Sequence, residues 1–250
     1  MAFFSAPLDF FLQIRKKKIM GHTPKSLGGL NPSTGTSWET IWPVGGVITY
    51  PSSSTQLTLS SDHADDTSAG TGAQTAKISG LDDEFNEISE EITLNGQTGV
   101  TTVNSYYRVN SVYCMTAGSN GSNKGNVYAG EGTITAGVPA TPYWCVQAGT
   151  NRSGTASYTV PIGMTLYMMN LELSNTSLTS VACFKFAKTS PGGILMSSNV
   201  FACASNRGKE LRSAPGFGPG TDIQFMSKVD SGTSTNSIYV ETILVDNRSG

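Results

Sequence analysis

Between residues 72 and 114 apolar and polar side chains alternate in runs cut by strong turn signals, the pattern of half-buried strands. Ala73, Thr75 and Lys77 alternate with Gln74, Ala76 and Ile78, and Gly80-Leu-Asp-Asp breaks the run with turn-forming residues. A second run is read with Ile88, Ile92 and Leu94 on one face and Glu90 opposite them. It ends at Asn95-Gly96, a dipeptide that readily takes positive φ at both turn positions. A third run passes through Val100 and Val103. In the fourth, Tyr107, Val109, Ser111 and Tyr113 alternate with Arg108, Asn110 and Val112. Successive antiparallel strands with one wet face predict a β-meander at the heart of a sandwich or barrel.

Short strands are also predicted at 47–50 and 56–59. Beyond the small-residue loop AGSNGSNKGNV, others fall at 143–147, 156–160, 164–173, 180–188, 193–201, 221–228 and 236–245. About a dozen strands and no convincing long helix predict an all-β fold, a jelly-roll-like antiparallel β-sandwich or two small sandwiches. The division expected is an N-terminal docking arm and hinge over 1–44 and one sandwich over 45–250.

The first 44 residues have a different character. Phe3, Phe4, Leu8, Phe10, Phe11, Leu12 and Ile14 crowd apolar weight ahead of the basic run Arg15, Lys16, Lys17 and Lys18, and GGLNPSTG then reads as a loop. So aromatic an extended arm should dock, on its own sandwich or on another subunit; a first helix packed on the same domain is the alternative. The basic run reads either as a solvated cluster or as a clamp on an acidic surface or on phosphates. Trp38 and Trp42 anchor a hinge turned by Pro43 and Gly45-Gly46. The candidate partner-binding residues are therefore Phe10, Phe11, Ile14, Arg15, Lys16, Lys17, Lys18, Trp38 and Trp42.

Composition agrees with a turn-rich β protein: 28 glycines, 11 prolines and only 14% charged residues. A formal net charge of −2 repels copies little, which suits a surface partly covered by neighbours and argues against nucleic acid as a partner. Low charge, small surface residues and the sandwich pattern together suggest a cyclic homo-oligomer, with a trimer as the expected form. No run approaches the roughly 20 apolar residues of a membrane span, so no membrane partner is expected. Cys114, Cys145, Cys183 and Cys203 lie far apart in apolar runs, without the spacing of a zinc or redox site, and read as buried free thiols.

Chemistry finds little footing. His22 and His63 are the only histidines, no nucleophile arrangement is spaced for catalysis, and no cofactor is implied. Asp62, Asp65 and Asp66 beside His63 lack the glycine and distant glutamate of a calcium loop and read as a polar turn. The acids Asp82, Asp83, Glu84, Glu90 and Glu91 sit in a turn or along a half-exposed strand, where carboxylates are usually just solvated. Catalytic and metal sites are both expected to be absent.

The set LQIRKKKIMGHTP, WETIWPVGG, GAQTAKISGLDDEFNEISEEITLNG, RVNSVYCMTAGSNGSNKGNV, YTVPIGMTLYM and YVETILVDN spans nearly the whole chain. It resembles a family of small structural proteins of tailed bacteriophages, abundant among marine and cyanobacterial phages. The resemblance implies a virion component with a jelly-roll-like fold, assembled in the host bacterial cytoplasm and bringing no catalytic residue. Such a protein would decorate or cement the head, or sit near the tail, gripping the major capsid protein or other virion subunits through its arm. The other functional class is a carbohydrate-binding sandwich that recognises a host glycan through aromatics such as Tyr106, Tyr143 or Trp144.

The strand assignment at 88–94 predicts a contrast. Ile92→Asp should put an unpaired charge in the core and cost several kcal/mol, whereas Glu90→Ala should cost less than about 0.5 kcal/mol; thermal melting of the two variants reads the difference.

Overall fold

A computed structural model describes residues 7–177, 179–189, 196–198, 200–211 and 214–248. Phe3 and Phe4 lie outside the described residues, as do residues 193–195 and 199 of the strand expected at 193–201. The chain is all-β, with antiparallel pairing throughout the described sheets and one short helix. That helix, α1, runs Pro7–Arg15. The strands are β1 (His22–Thr34), β2 (Glu39–Thr40), β3 (Thr55–Ser61), β4 (Ala73–Leu81), β5 (Glu87–Thr93), β6 (Val100–Tyr106), β7 (Arg108–Ala117), β8 (Val127–Thr135) and β9 (Val138–Val146). They continue with β10 (Ser157–Thr159), β11 (Met164–Asn175), β12 (Ala182–Thr189), β13 (Met196–Ser197), β14 (Phe201–Cys203), β15 (Arg207–Glu210), β16 (Gly216–Phe217), β17 (Asp222–Val229) and β18 (Ser234–Asp246).

The apolar positions of these strands collect into two main cores. In the first lobe the sheet β1-β18-β11-β15 faces the sheet β10-β17-β12-β13, and Leu27, Leu171 and Val240 meet Tyr158, Phe184 and Phe225 between them. In the second lobe β6-β3-β8-β9 faces β5-β4-β7, enclosing Leu57, Leu59, Ala129 and Trp144 against Ile78, Ile92 and Val112. Residues 55–146 are thus an insertion into a sandwich built from both ends of the chain. Trp42 and Ile48 of the segment entering the insertion pack on Tyr128 and Cys145 of the second lobe, forming a smaller apolar cluster.

This division crosses the boundary expected at residue 44. From His22 onward the supposed arm is an edge strand, paired with β18 from His22↔Val245 to Asn31↔Asn236. Its Pro24, Gly28, Gly29 and Pro32 give it the composition of a loop, but proline is compatible with an edge position, where one side of the backbone need not donate to a ladder. Gly29 is required by contact: a Cβ there would lie 2.3 Å from the Ile41 carbonyl oxygen and 2.6 Å from the Ala156 Cβ.

The meander is also rearranged. β4 pairs with β5 on one side and β7 on the other, while β6 crosses to the facing sheet and pairs with β3. Asn95-Gly96 is therefore not the turn of a hairpin. Gly96 takes φ 58° as the chain passes between sheets, and its N–H donates to the Asp66 carbonyl at 2.8 Å. Positions 88, 90 and 92 have the same parity, so period two puts Glu90 on the face of Ile88 and Ile92. The burial of β5 follows that alternation, with the odd positions exposed. At the sandwich edge the Glu90 carboxylate accepts bonds from Val103 N (2.8 Å), Asn104 N (3.0 Å) and the Tyr106 hydroxyl (3.2 Å), tying β5 to β6.

Two substitutions test this edge. Ile92→Asp, at a position 6% exposed in the core, should cost several kcal/mol. Glu90→Ala should cost about 1–3 kcal/mol, not the fraction expected for a wet face, because three donors lose their acceptor. Urea unfolding of the full chain checks both; a loss below about 0.5 kcal/mol for Glu90→Ala would mean that solvent replaces the carboxylate there.

Candidate functional site

The predicted docking residues divide into three places. In α1, Ile14 is buried, Phe10 and Phe11 are half-buried, and Arg15, Lys16, Lys17 and Lys18 are exposed. Phe10 meets Phe11 and His22 edge-on, at centroid distances of 6.0 and 6.4 Å, which seats the helix beside β1. Pro7 opens the helix at a position where a missing N–H is harmless. Lys17, with φ 56°, closes it in the left-handed region, and its N–H donates to the Ile14 carbonyl at 2.8 Å. Among the described residues, none of the four cations lies within ion-pair distance of a carboxylate.

The tryptophans belong elsewhere. Trp42 is 3% exposed and its Nε1 donates to the Gly45 carbonyl at 2.8 Å, so it holds a turn and an internal cluster and is not available to a partner. Trp38 is half-buried, with the Lys185 and Lys228 ammoniums 4.5 and 5.4 Å from its ring centroid. The structure does not bring either tryptophan to the basic run as one site.

The strongest polar construction joins the lobes. Arg108, at the start of β7, meets Asp222, at the start of β17, through Nε–Oδ1 at 2.8 Å and Nη2–Oδ2 at 3.1 Å, the two-point geometry that a guanidinium provides and an ammonium does not. Its Nη1 donates to the Tyr107 carbonyl at 2.7 Å. The Tyr107 and Tyr50 rings lie 4.0 and 4.5 Å from its Cζ. Burial opposes the charge on Arg108, but the hydrogen bonds and charge of Asp222 outweigh it and raise the pKa. Burial, reinforced by Asp222, pushes the Tyr50 phenol up to about 12. Thr159 donates to Asp222 Oδ1 at 2.6 Å. Asn110 then closes a two-bond clasp with the Thr159 backbone, at 2.8 Å each way.

The acidic loop is structural. Asp66 is wholly buried and accepts from Ser61 Oγ, Ala73 N, Lys124 N and Gly125 N at 2.6–2.9 Å. Asp62 accepts from Asn126 N at 2.8 Å and the Tyr128 hydroxyl at 3.1 Å. The polar turn thus pins the glycine-rich loop that precedes β8. Among the described residues no group of three His, Cys, Asp or Glu side chains is placed to hold a metal. All four cysteines are free, and burial pushes the Cys114 thiol up to about 12, far from the thiolate chemistry of a reactive cysteine.

Arg108 and Asp222 went unmarked in the sequence pattern. Their available signal was position: each is a charge at the head of a strand that begins buried, where a charge must find a partner.

No protein-family model matches the chain, and no curated protein matches it. Among solved structures it is similar to a structure of the infectious bursal disease virus Gt strain, at 9% identity and TM-score 0.25, covering 98% of this chain and 79% of that one. It is similar also to a structure of the Gx strain of that virus (9% identity, TM-score 0.26, 92% and 73% covered). A third structure is that of T=1 particles derived from infectious bursal virus (10% identity, TM-score 0.26, 91% and 70% covered). At these scores the likeness is too loose to assign a shared fold or role.

Arg108→Ala should cost about 3–5 kcal/mol, since it leaves a buried carboxylate without its cation. The double variant Arg108→Leu with Asp222→Leu should lose less than Arg108→Ala does. Urea unfolding of the full chain measures both, and a loss below about 1 kcal/mol for Arg108→Ala would remove the pair as the junction between the lobes.

Proposed function

We propose that the chain is a structural subunit of a virus particle, specifically of a tailed phage, and that it has no catalytic role. It decorates or cements the particle by gripping neighbouring subunits, the major capsid protein among them, and assembles in the bacterial cytoplasm as a cyclic homo-oligomer, a trimer being the expected form. The observation that carries the reading is the exposed run Arg15–Lys18 at the end of α1, outside both cores and without an acidic partner among the described residues. In a chain with only 14% charged residues, four adjacent unpaired cations beside half-buried aromatics form a surface suited to an acidic neighbour. The family resemblance of the sequence motifs supplies the phage context.

The expected grip uses residues 7–18, not the whole segment 1–44. Removing residues 1–34 would strip β1 from β18 and open the first core. Removing residues 1–18 spares both sandwiches, so the chain should keep one cooperative melt while losing incorporation into particles. Reversing Lys16, Lys17 and Lys18 to Glu, which leaves Ile14 in place, should do the same. Particle incorporation is read by co-sedimentation of the variant with particles, and wild-type stoichiometry for either variant would overturn the docking role.

A further inference from the structure

A cleft of about 680 Å³ lies between the lobes, lined by residues 25–30 of β1, residues 110–114 of β7 and the loop 147–155 that follows β9. Its size falls within the roughly 300–1,000 Å³ of small-molecule sites. The walls are fixed by hydrogen bonds. Leu30 N donates to the Gly154 carbonyl and Cys114 N to the Asn151 carbonyl, each at 3.0 Å, so the loop is fastened to both lobes; Trp144 Nε1 donates to Ser153 Oγ at 2.9 Å.

The lining contains Lys25 and Arg152 but no aspartate or glutamate, in a chain whose acids outnumber its bases by 18 to 16. The Lys25 ammonium lies over the face of the Tyr158 ring, with Nζ 4.8 Å from the centroid. That contact gives the ammonium an aromatic partner but no hydrogen-bond acceptor, and among the described residues no carboxylate lies within ion-pair distance of it. Burial lowers its pKa, with the more distant charge of Glu87 opposing. Beneath it the buried Tyr158 hydroxyl also lacks a partner among the described residues. Arg152, at the rim, is exposed and forms no ion pair among the described residues. The second lobe contributes a partly exposed aromatic, Tyr113 of β7 (36%), whereas Tyr239 of β18 lies on the opposite face of its sheet from Lys25, its hydroxyl 3.0 Å from Ser26 Oγ.

We propose that this cleft binds an acidic saccharide, whose carboxylate is drawn by Lys25 and Arg152 and whose sugar ring lies against Tyr113. Two cations are too few to follow a phosphate backbone, which needs a continuous basic groove. The neutral hydroxyl and amide of Ser111 and Gln147, which also line the cleft, match the hydroxyl groups of a sugar. The proposal stands whether or not the chain is a particle subunit.

The test titrates the full chain by calorimetry with a panel of uronate and sialate oligosaccharides, their neutral counterparts, and inorganic phosphate. An acidic oligosaccharide should bind at least about tenfold more tightly than its neutral counterpart, and Lys25→Met, which keeps an unbranched stem without the charge, should weaken it by about tenfold or more. Arg152→Gln, at the exposed rim, should weaken it in the same direction without disturbing the fold, and so carries the test if Lys25→Met unfolds. Absence of binding across the panel, equal binding of neutral sugars, or wild-type affinity in the folded variants overturns the proposal. Inorganic phosphate binding as tightly as the acidic oligosaccharides would make the cleft a simple anion site and overturn the saccharide assignment.

Discussion

The contact between Arg108 and Asp222 fixes how two sandwiches made from interleaved stretches of one chain sit against each other. An ion pair with side chains 10% exposed on both partners is costly to desolvate, and it persists here because each partner's remaining valences are filled. Arg108 gives its remaining terminal nitrogen to a carbonyl and lies over two tyrosine rings; Asp222 takes a hydroxyl from Thr159. An apolar patch could hold the lobes together equally well, but it would allow them to slide, whereas a two-point contact between planar groups specifies an angle. The clasp of Asn110 on Thr159 adds a second fixed point between the lobes, from β7 to β10.

A fixed junction matters because the chain enters and leaves the second lobe through irregular segments. On the entry side Trp42 and Ile48 leave the first lobe and pack on Tyr128 and Cys145; on the exit side the 147–155 loop is stitched to β7 and β1. Within the second lobe Asp66 plays the corresponding part for loops, gathering four donors around one buried carboxylate. Few charges are spent inside the molecule, and those few organise segments that have too little apolar surface to organise themselves.

The class of the fold was legible because alternation with period two survives in most strands, and burial follows it along β4, β5 and β18. The topology was not. A turn dipeptide such as Asn95-Gly96 reports that the chain reverses, but not whether it reverses within one sheet or between two, and that choice was made by Gly96 and Asp66 acting at a distance. β1 was hidden because Gly28, Gly29, Pro24 and Pro32 carry loop composition into an edge strand that close packing requires to be thin. Of the candidate site, Phe10, Phe11, Ile14 and the basic run were legible as a cluster because they are adjacent in sequence; Trp38 and Trp42, added as anchors of the hinge, are occupied by lysines and by a turn. Lys25 and Arg152 could not have been paired from the sequence, since the cleft they share exists only once the insertion folds back on β1.

The placement of charge ties these features together. Where a cation is buried for structure, as at Arg108, an acid meets it at hydrogen-bonding distance; where an acid is buried, as at Asp66, backbone donors surround it. Against that practice, cations without such partners among the described residues are informative, because the same chain shows how it satisfies a charge that serves only the fold. Two of their settings differ in shape, a basic run at a helix end, suited to a broad acidic surface, and a cleft between lobes, suited to a small anionic group; elsewhere, as with Lys185 and Lys228 at Trp38, the cations lie against an aromatic ring on the surface of one lobe. Rigidity at the Arg108–Asp222 junction is what would keep the cleft's two walls, one from each lobe, at a constant spacing.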